Sequence, residues 1–204
     1  MIIVVEGPSG AGKTTWCRTH GGANALLEAL PDHATVPTEP RAAGRFWVER
    51  NVVRWREVLE REARDGLVVV DTDPFKLHYV WTLFETGQIS EVEWTMQRDA
   101  ARDAFAAGRY ALADLFLVSD VDDATLRARR DADPTRTRRN FERHVQLRDA
   151  LLRWYRAIDR LEPGRVVFGL PDAGITPDLL ARGKRKTRSG RELFERLMSE
   201  LTAL

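Results

Sequence analysis

Cysteine, methionine and long apolar runs are all scarce in this chain. A single cysteine, Cys17, stands among 204 residues. No disulfide can form within the chain, and the expected setting is a reducing, cytoplasmic one with Cys17 packed inside a helix. The apolar stretch 1–5 is too short for a membrane span or for the core of a secretion signal, and no later stretch approaches the required length. An excess of either charge is missing as well. Lys and Arg number 32 against 31 Asp and Glu, for a net charge of +1 with 31% of residues charged. Interleaved signs argue against a dedicated nucleic-acid binder, which needs a basic face. Internal repeats and long linkers are also lacking. One domain over residues 1–204 is expected, large enough to bury roughly 70% of the surface that its unfolded chain exposes.

What the chain does have begins almost at once. Gly7-Pro8-Ser9-Gly10-Ala11-Gly12-Lys13-Thr14 spells G-x-x-x-x-G-K-[ST] directly after the apolar run 1–5. The glycines permit the positive φ angles that turn backbone N–H groups inward around an anion. Lys13 then reaches the outer phosphates of a nucleotide, and the Thr14 hydroxyl ligates Mg²⁺. The helix that follows adds its unpaired N–H groups and positive dipole end. Gly7, Ser9, Gly10, Ala11, Gly12, Lys13, Thr14 and Thr15 are therefore the expected phosphate-binding residues, with ATP and Mg²⁺ as the ligands.

Short apolar runs at 1–5, 34–37, 67–71, 112–118 and 165–169 alternate with longer helical patterns. This predicts an α/β fold of the P-loop NTPase type, a five-stranded parallel sheet flanked by helices. The run 34–37 is the weakest of the strands. A helix is expected over 45–65, closed by Gly66. Another is expected over 91–107, with Ser90 as N-cap, Glu93 in capping-box spacing and Gly108 at its end. A third starts at 122, breaks around 131–135 because of Pro134, and resumes to 161. The basic segment 184–188 reads as a solvated connector to an amphipathic helix over 192–201, within a C-terminal extension 184–204.

The order of motifs resembles the thymidylate kinase and deoxynucleoside kinase group of P-loop phosphotransferases. The P-loop with its preceding acid, Glu6, carries the resemblance first. Thr38-Glu39-Pro40 is similar to the Glu-Pro that follows the second strand in these kinases. Val68-Val69-Val70-Asp71-Thr72-Asp73 is similar to their third strand and its terminal acid. Leu115-Phe116-Leu117-Val118, an Arg-rich helix, an interruption and a second helix ending in Trp154-Tyr155 resemble their LID, placed here at about 127–143. Gly87-Gln88-Ile89-Ser90 also looks like deoxynucleoside kinases. One departure stands out: family members carry an arginine directly after the third-strand acid, where this chain has Thr72. The resemblance implies a kinase fold with a helical, Arg-rich LID.

Phosphoryl transfer asks for Mg²⁺, a positioned acceptor and cations over the migrating group. Asp71 is expected to hold the metal with Thr14. If the strand stays extended, Asp73 projects to the same side and could take the acceptor's proton, although both could equally be solvated strand-end acids. The resemblance makes Glu39 the rival base. Arg41 and Arg45 could contact an anionic acceptor. Within the LID, Arg127, Arg129, Arg130, Arg136, Arg138, Arg139 and Arg143 form the basic cluster, and Arg127, Arg130 and Arg136 are the candidates to close over the phosphates. Phe75, His78 and Tyr79 could stack on or hydrogen-bond a flat acceptor, or equally fill the core. The segment 169–172 stands where these kinases flank the adenine. The expected activity is ATP- and Mg²⁺-dependent phosphorylation of a nucleoside or nucleoside monophosphate. An antibiotic or secondary-metabolite kinase and a nucleotide-gated switch are the alternatives. A homodimer is compatible with such folds.

Overall fold

Runs of Val, Ile and Leu build the centre of the molecule. The computed structural model describes residues 1–28, 35–132, 141–183 and 187–202. Along the chain lie β1 (Ile2–Glu6), α1 (Lys13–Trp16), β2 (Ala25–Leu26), α2 (Pro40–Asp65), β3 (Val68–Asp71), α3 (Leu77–Glu85) and α4 (Glu91–Ala106). Then come β4 (Leu115–Val118), α5 (Asp123–Asp131), α6 (Phe141–Gln146), α7 (Arg148–Leu161), β5 (Val166–Phe168), α8 (Pro177–Arg182) and α9 (Arg191–Thr202). The strands form one five-stranded parallel sheet in the order β2-β3-β1-β4-β5. Every residue of β1, β3 and β4 is buried, as in parallel strands covered on both faces.

The two-residue period of the strands splits the core. Ile2, Val4, Val68, Val70, Phe116 and Val118 face a large cluster supplied by α2, α3, α4, α7 and α9. Ile3, Val5, Val69, Leu115 and Leu117 face Trp16, Cys17 and Leu179 on the other side. A third, smaller cluster joins Ala11 of the P-loop to Leu126, Phe141 and Val145 of the α5–α6 hairpin. Because β1 lies between β3 and β4, its carboxyl end opens where the crossovers diverge, which is where open α/β sheets hold their ligands.

Several expected boundaries move. The second strand is Ala25–Leu26 rather than 34–37; residues 35–37 form no strand, and residue 34 lies outside the described residues. Helix α2 begins at Pro40 rather than 45, because Pro40 suits a first helical turn and Glu39 caps it, accepting from Arg41 N at 2.9 Å and Ala42 N at 2.7 Å. The capping box of Ser90 and Glu93 forms as expected, and Gly66 ends α2 at φ 76°. A second break at Leu147 separates α6 from α7, and α8, capped by Thr176, was not anticipated.

The basic segment is not a solvated connector throughout. Arg188 donates to Asp114 Oδ1 at 2.6 Å and to Glu62 Oε2 at 2.6 Å. Beside it Arg165, fully buried, donates to the carbonyls of Ala113, Leu112 and Thr187 and to Glu162. Residues 184–186 lie outside the described residues. Among the described residues no helix is long and apolar enough to cross a membrane.

Candidate active site

β1 delivers the chain into a loop that only glycine can follow. Gly7, Gly10 and Gly12 hold φ angles of 151°, 88° and 90°, and a Cβ on Gly7 would lie 2.8 Å from Ser119 Cβ at the end of β4. Lys13 folds back so that Nζ donates to Gly7 O at 2.7 Å and Pro8 O at 3.1 Å. The Thr14 hydroxyl donates to Asp71 Oδ2 at 2.6 Å. The other oxygen, Asp71 Oδ1, is buried and has no hydrogen-bond partner among the described residues. An ionised carboxylate does not leave a buried oxygen unmet unless a cation or water completes it. Thr14 and Asp71 therefore fit a Mg²⁺ ion, held by few protein oxygens and completed by waters and phosphates. Arg54 of α2 fixes the same residue from behind, donating to Asp71 O at 2.5 Å.

Thr72 separates the two aspartates. It is the one non-glycine at positive φ (72°) among the described residues, a conformation that costs a β-branched residue about 1–3 kcal/mol. The strand therefore does not stay extended, and the expectation that Asp71 and Asp73 share a side fails. Asp73 turns into the core, fully buried, and accepts from Phe75 N at 2.9 Å and the Tyr155 hydroxyl at 3.2 Å. Burial pushes its pKa up, against the pull of His78 and these donors. Glu6 closes the network. It accepts from Gly7 N at 2.8 Å and Asp73 N at 3.0 Å, and lies 3.3 Å from His78 Nε2. Burial alone would raise the Glu6 pKa, but His78, Lys13, Lys76 and the Gly7 N–H together hold it below the ordinary value.

The remaining expected acceptor contacts scatter. Phe75 is fully buried among Phe105, Tyr110, Trp154 and Phe194. His78 is 3% exposed, with Nδ1 3.3 Å from Phe75 O. Tyr79 is partly exposed and meets the His144 ring edge-on at 6.0 Å. Glu39 is exposed and caps α2, its carboxylate accepting from the Arg41 and Ala42 N–H groups.

A carboxylate not anticipated from the sequence lies beside Thr72 and Lys76. Glu28, just beyond β2, lies 2.7 Å from Lys76 Nζ through Oε1 and accepts from the Thr72 hydroxyl at 3.4 Å through Oε2. Burial opposes its charge, but Lys76, Arg54 and Lys13 bring its pKa down to about 2. The signal was present as an acid after the apolar pair Leu26-Leu27. It was hidden because the strand was sought at 34–37.

The arginines expected in a LID find separate partners where they are described. Arg127 and Arg130 each donate to Glu142 at 2.5 Å, and Arg130 lies over the Phe141 ring at 4.7 Å. They clasp α5 to α6. Arg129 alone of the described LID arginines is seen touching the P-loop, donating to Ala11 O at 3.1 Å. Arg143 donates to Gln88 at 2.5 Å. Burial, then Lys13 and Lys76, lower the pKa of His144. Arg136, Arg138 and Arg139 lie outside the described residues. On the opposite flank, Trp16 Nε1 donates to Pro171 O at 2.9 Å, tying α1 to the loop after β5.

No family model and no curated protein matches the chain. Solved structures do resemble it. Deoxyadenosine kinase from M. mycoides with bound dATP is 13% identical, with a TM-score of 0.55 over 99% of this chain and 100% of that one. The same kinase with the products dCMP and a flexible dCDP bound is 12% identical, with a TM-score of 0.57 over the whole of both chains. The likeness is one of fold: this chain has the P-loop fold of the deoxynucleoside kinases, as its motifs led one to expect.

Proposed function

We propose that the chain is an ATP- and Mg²⁺-dependent phosphotransferase whose acceptor is a nucleoside or nucleoside monophosphate. One observation carries the reading. The P-loop threonine and the strand-end Asp71 meet at 2.6 Å beside a buried carboxylate oxygen with no partner among the described residues, an arrangement that supports a metal–phosphate site. Bound there, Mg²⁺ would neutralise charge on the transferring phosphoryl group. Lys13, released from the loop carbonyls that it now contacts, would pair with the outer phosphates. Arg129 is one contact away from them and would exchange Ala11 O for a phosphate oxygen. Glu28, on the β2 side of the crevice, would orient the acceptor hydroxyl and take its proton as the new P–O bond forms and ADP departs. The shared fold with deoxyadenosine kinase supports a nucleoside-type acceptor.

The test is ADP release from purified protein with ATP and Mg²⁺ across nucleosides, nucleoside monophosphates and hydroxyl-bearing antibiotics. Strong stimulation by a nucleoside or monophosphate is expected. Stimulation by an antibiotic alone would move the chain to metabolite kinases. Tight ATP binding with no stimulation by any acceptor would favour a nucleotide-gated switch.

A further inference from the structure

Three features that the P-loop does not require converge on Glu28. Thr72 accepts a left-handed backbone, held by its N–H to Val5 O at 2.9 Å and by Asp73 N to Glu6 Oε2 at 3.0 Å. That turn is what directs the Thr72 hydroxyl toward Glu28 Oε2. Lys76, the N-cap residue of α3, reaches the other oxygen of the same carboxylate at 2.7 Å. Neither side chain is out of water, with Lys76 28% and Glu28 30% exposed. A lone exposed ion pair is worth little for stability and would not justify a strained threonine. Strain of this kind clusters where geometry must be held for function.

We propose that Thr72 and Lys76 are positioning residues that hold the Glu28 carboxylate in one orientation, presenting it to the acceptor at the crevice rim. The inference rests on the phosphotransfer reading and deepens it. With one oxygen on Lys76 and the other on Thr72, the carboxylate cannot rotate freely, and its remaining lone pairs are left for the acceptor hydroxyl. The groups facing Glu28 are Lys76 from α3, Arg54 from α2 and Lys13 from the P-loop, so the carboxylate stays ionised throughout the working pH range. Its role is then to aim the hydroxyl first and to receive its proton late, as the P–O bond forms.

The experiment is a carboxyl-¹³C NMR titration of Glu28 in the full chain, beside acceptor kinetics, for wild type, Lys76→Met, Lys76→Arg and Thr72→Val. In the wild type no Glu28 step is expected above about pH 4, since ordinary glutamate titrates near 4.3. Lys76→Met should bring the step up toward that value and cut kcat/KM for the acceptor by about 10- to 100-fold with the KM for ATP unchanged. Lys76→Arg should restore both. Thr72→Val, which keeps the branched shape but loses the hydroxyl, should lower acceptor kcat by a smaller factor. A Lys76→Met protein whose Glu28 titration or acceptor kcat/KM stays at the wild-type value overturns the proposal. Failure of every acceptor in the wild type, with the NMR shift still produced by Lys76→Met, would instead overturn the phosphotransfer reading and leave the pair itself established.

Discussion

At the amino end of the sheet Arg188 lies between Glu62 and Asp114, and Arg165 places its guanidinium on three carbonyls and Glu162. At the carboxyl end, among the described residues, Asp71 keeps one buried oxygen without a partner, Ser119 buries a hydroxyl with none, and Thr72 sits in a left-handed turn. Both ends are dense in charge and both are tied to the same strands. The amino end satisfies its charges within the chain, and the carboxyl end leaves groups unmet and backbone strained. Pairing of the first kind holds the C-terminal segment against the sheet. Incompleteness of the second kind is what a site completed by a ligand looks like.

The sharpest test of that contrast is activity. Asp71→Asn keeps the shape of the carboxyl end but removes the charge that the proposed Mg²⁺ would meet. Phosphotransfer should fall by about 10³-fold or more while ATP binding persists, since the effect is confined to charge developing in the transition state. Steady-state ADP release beside a calorimetric ATP titration separates the two. Equal turnover would remove Asp71 from the metal site.

The matching test at the amino end is stability. Arg165→Met leaves the carbonyls of Ala113 and Leu112 buried without donors, and a loss of about 3 kcal/mol is expected in chemical denaturation, with catalytic constants unchanged. The same clamp predicts a pH dependence. Burial of Glu62 is outweighed by Arg188 and the chain's amino group, which hold its pKa below the ordinary glutamate value. A depressed folded-state value means that the stabilisation is complete above the unfolded pKa and drains away as pH falls through the folded one. Melting temperature should therefore drop below about pH 4.3, and Arg188→Met should flatten that part of the curve.

Much of the carboxyl end was legible in the sequence because its chemistry is local. Lys13 and Thr14 sit in a contiguous string, and Asp71 closes an apolar run. What could not be read was contact across elements. Arg127 and Arg130 share a helical face with nothing in their spacing to say that Glu142 occupies it, while Arg129, on a different face, is the one that meets Ala11. Glu28 was invisible for a related reason: a two-residue strand gives almost no periodic signal, so the acid behind it had no frame. Arg188 looked like one of a basic run until Glu62 and Asp114, remote in sequence, turned out to flank it. For the fold, the valine-rich strands and the cap at Ser90 were readable. The start of α2 was not, because its apolar pattern begins later than its cap.

The arginines of α5 supply a middle-sized effect. Arg129→Ala should lower kcat by about 10- to 100-fold with little change in thermal stability, because its partner in the unliganded protein is one loop carbonyl. Arg127→Ala, whose contact is the exposed Glu142, should leave kcat within about twofold. Pre-steady-state measurements of both variants would decide between them. A larger loss for Arg127→Ala would return the phosphate-facing role to the arginine expected from sequence.

The smallest effect is the most discriminating, because it should carry opposite signs in stability and in function. Thr72→Gly removes the penalty of holding a β-branched side chain at φ 72°, which should stabilise the fold by about 1 kcal/mol, offset in part by glycine's greater freedom in the unfolded chain. For a domain of this size that is a rise in melting temperature of roughly 2–4 °C at most. The same substitution deletes the hydroxyl that meets Glu28, so acceptor turnover should fall while the protein becomes harder to melt. Thr72→Gly melting lower than the wild type would mean that the turn is not a source of strain. A stabilised variant with unimpaired acceptor turnover would mean that the strain serves something other than Glu28. A gain in stability coupled to a loss in turnover is what a carboxyl end arranged for chemistry should give, and no substitution at Arg165 or Arg188 should reproduce it.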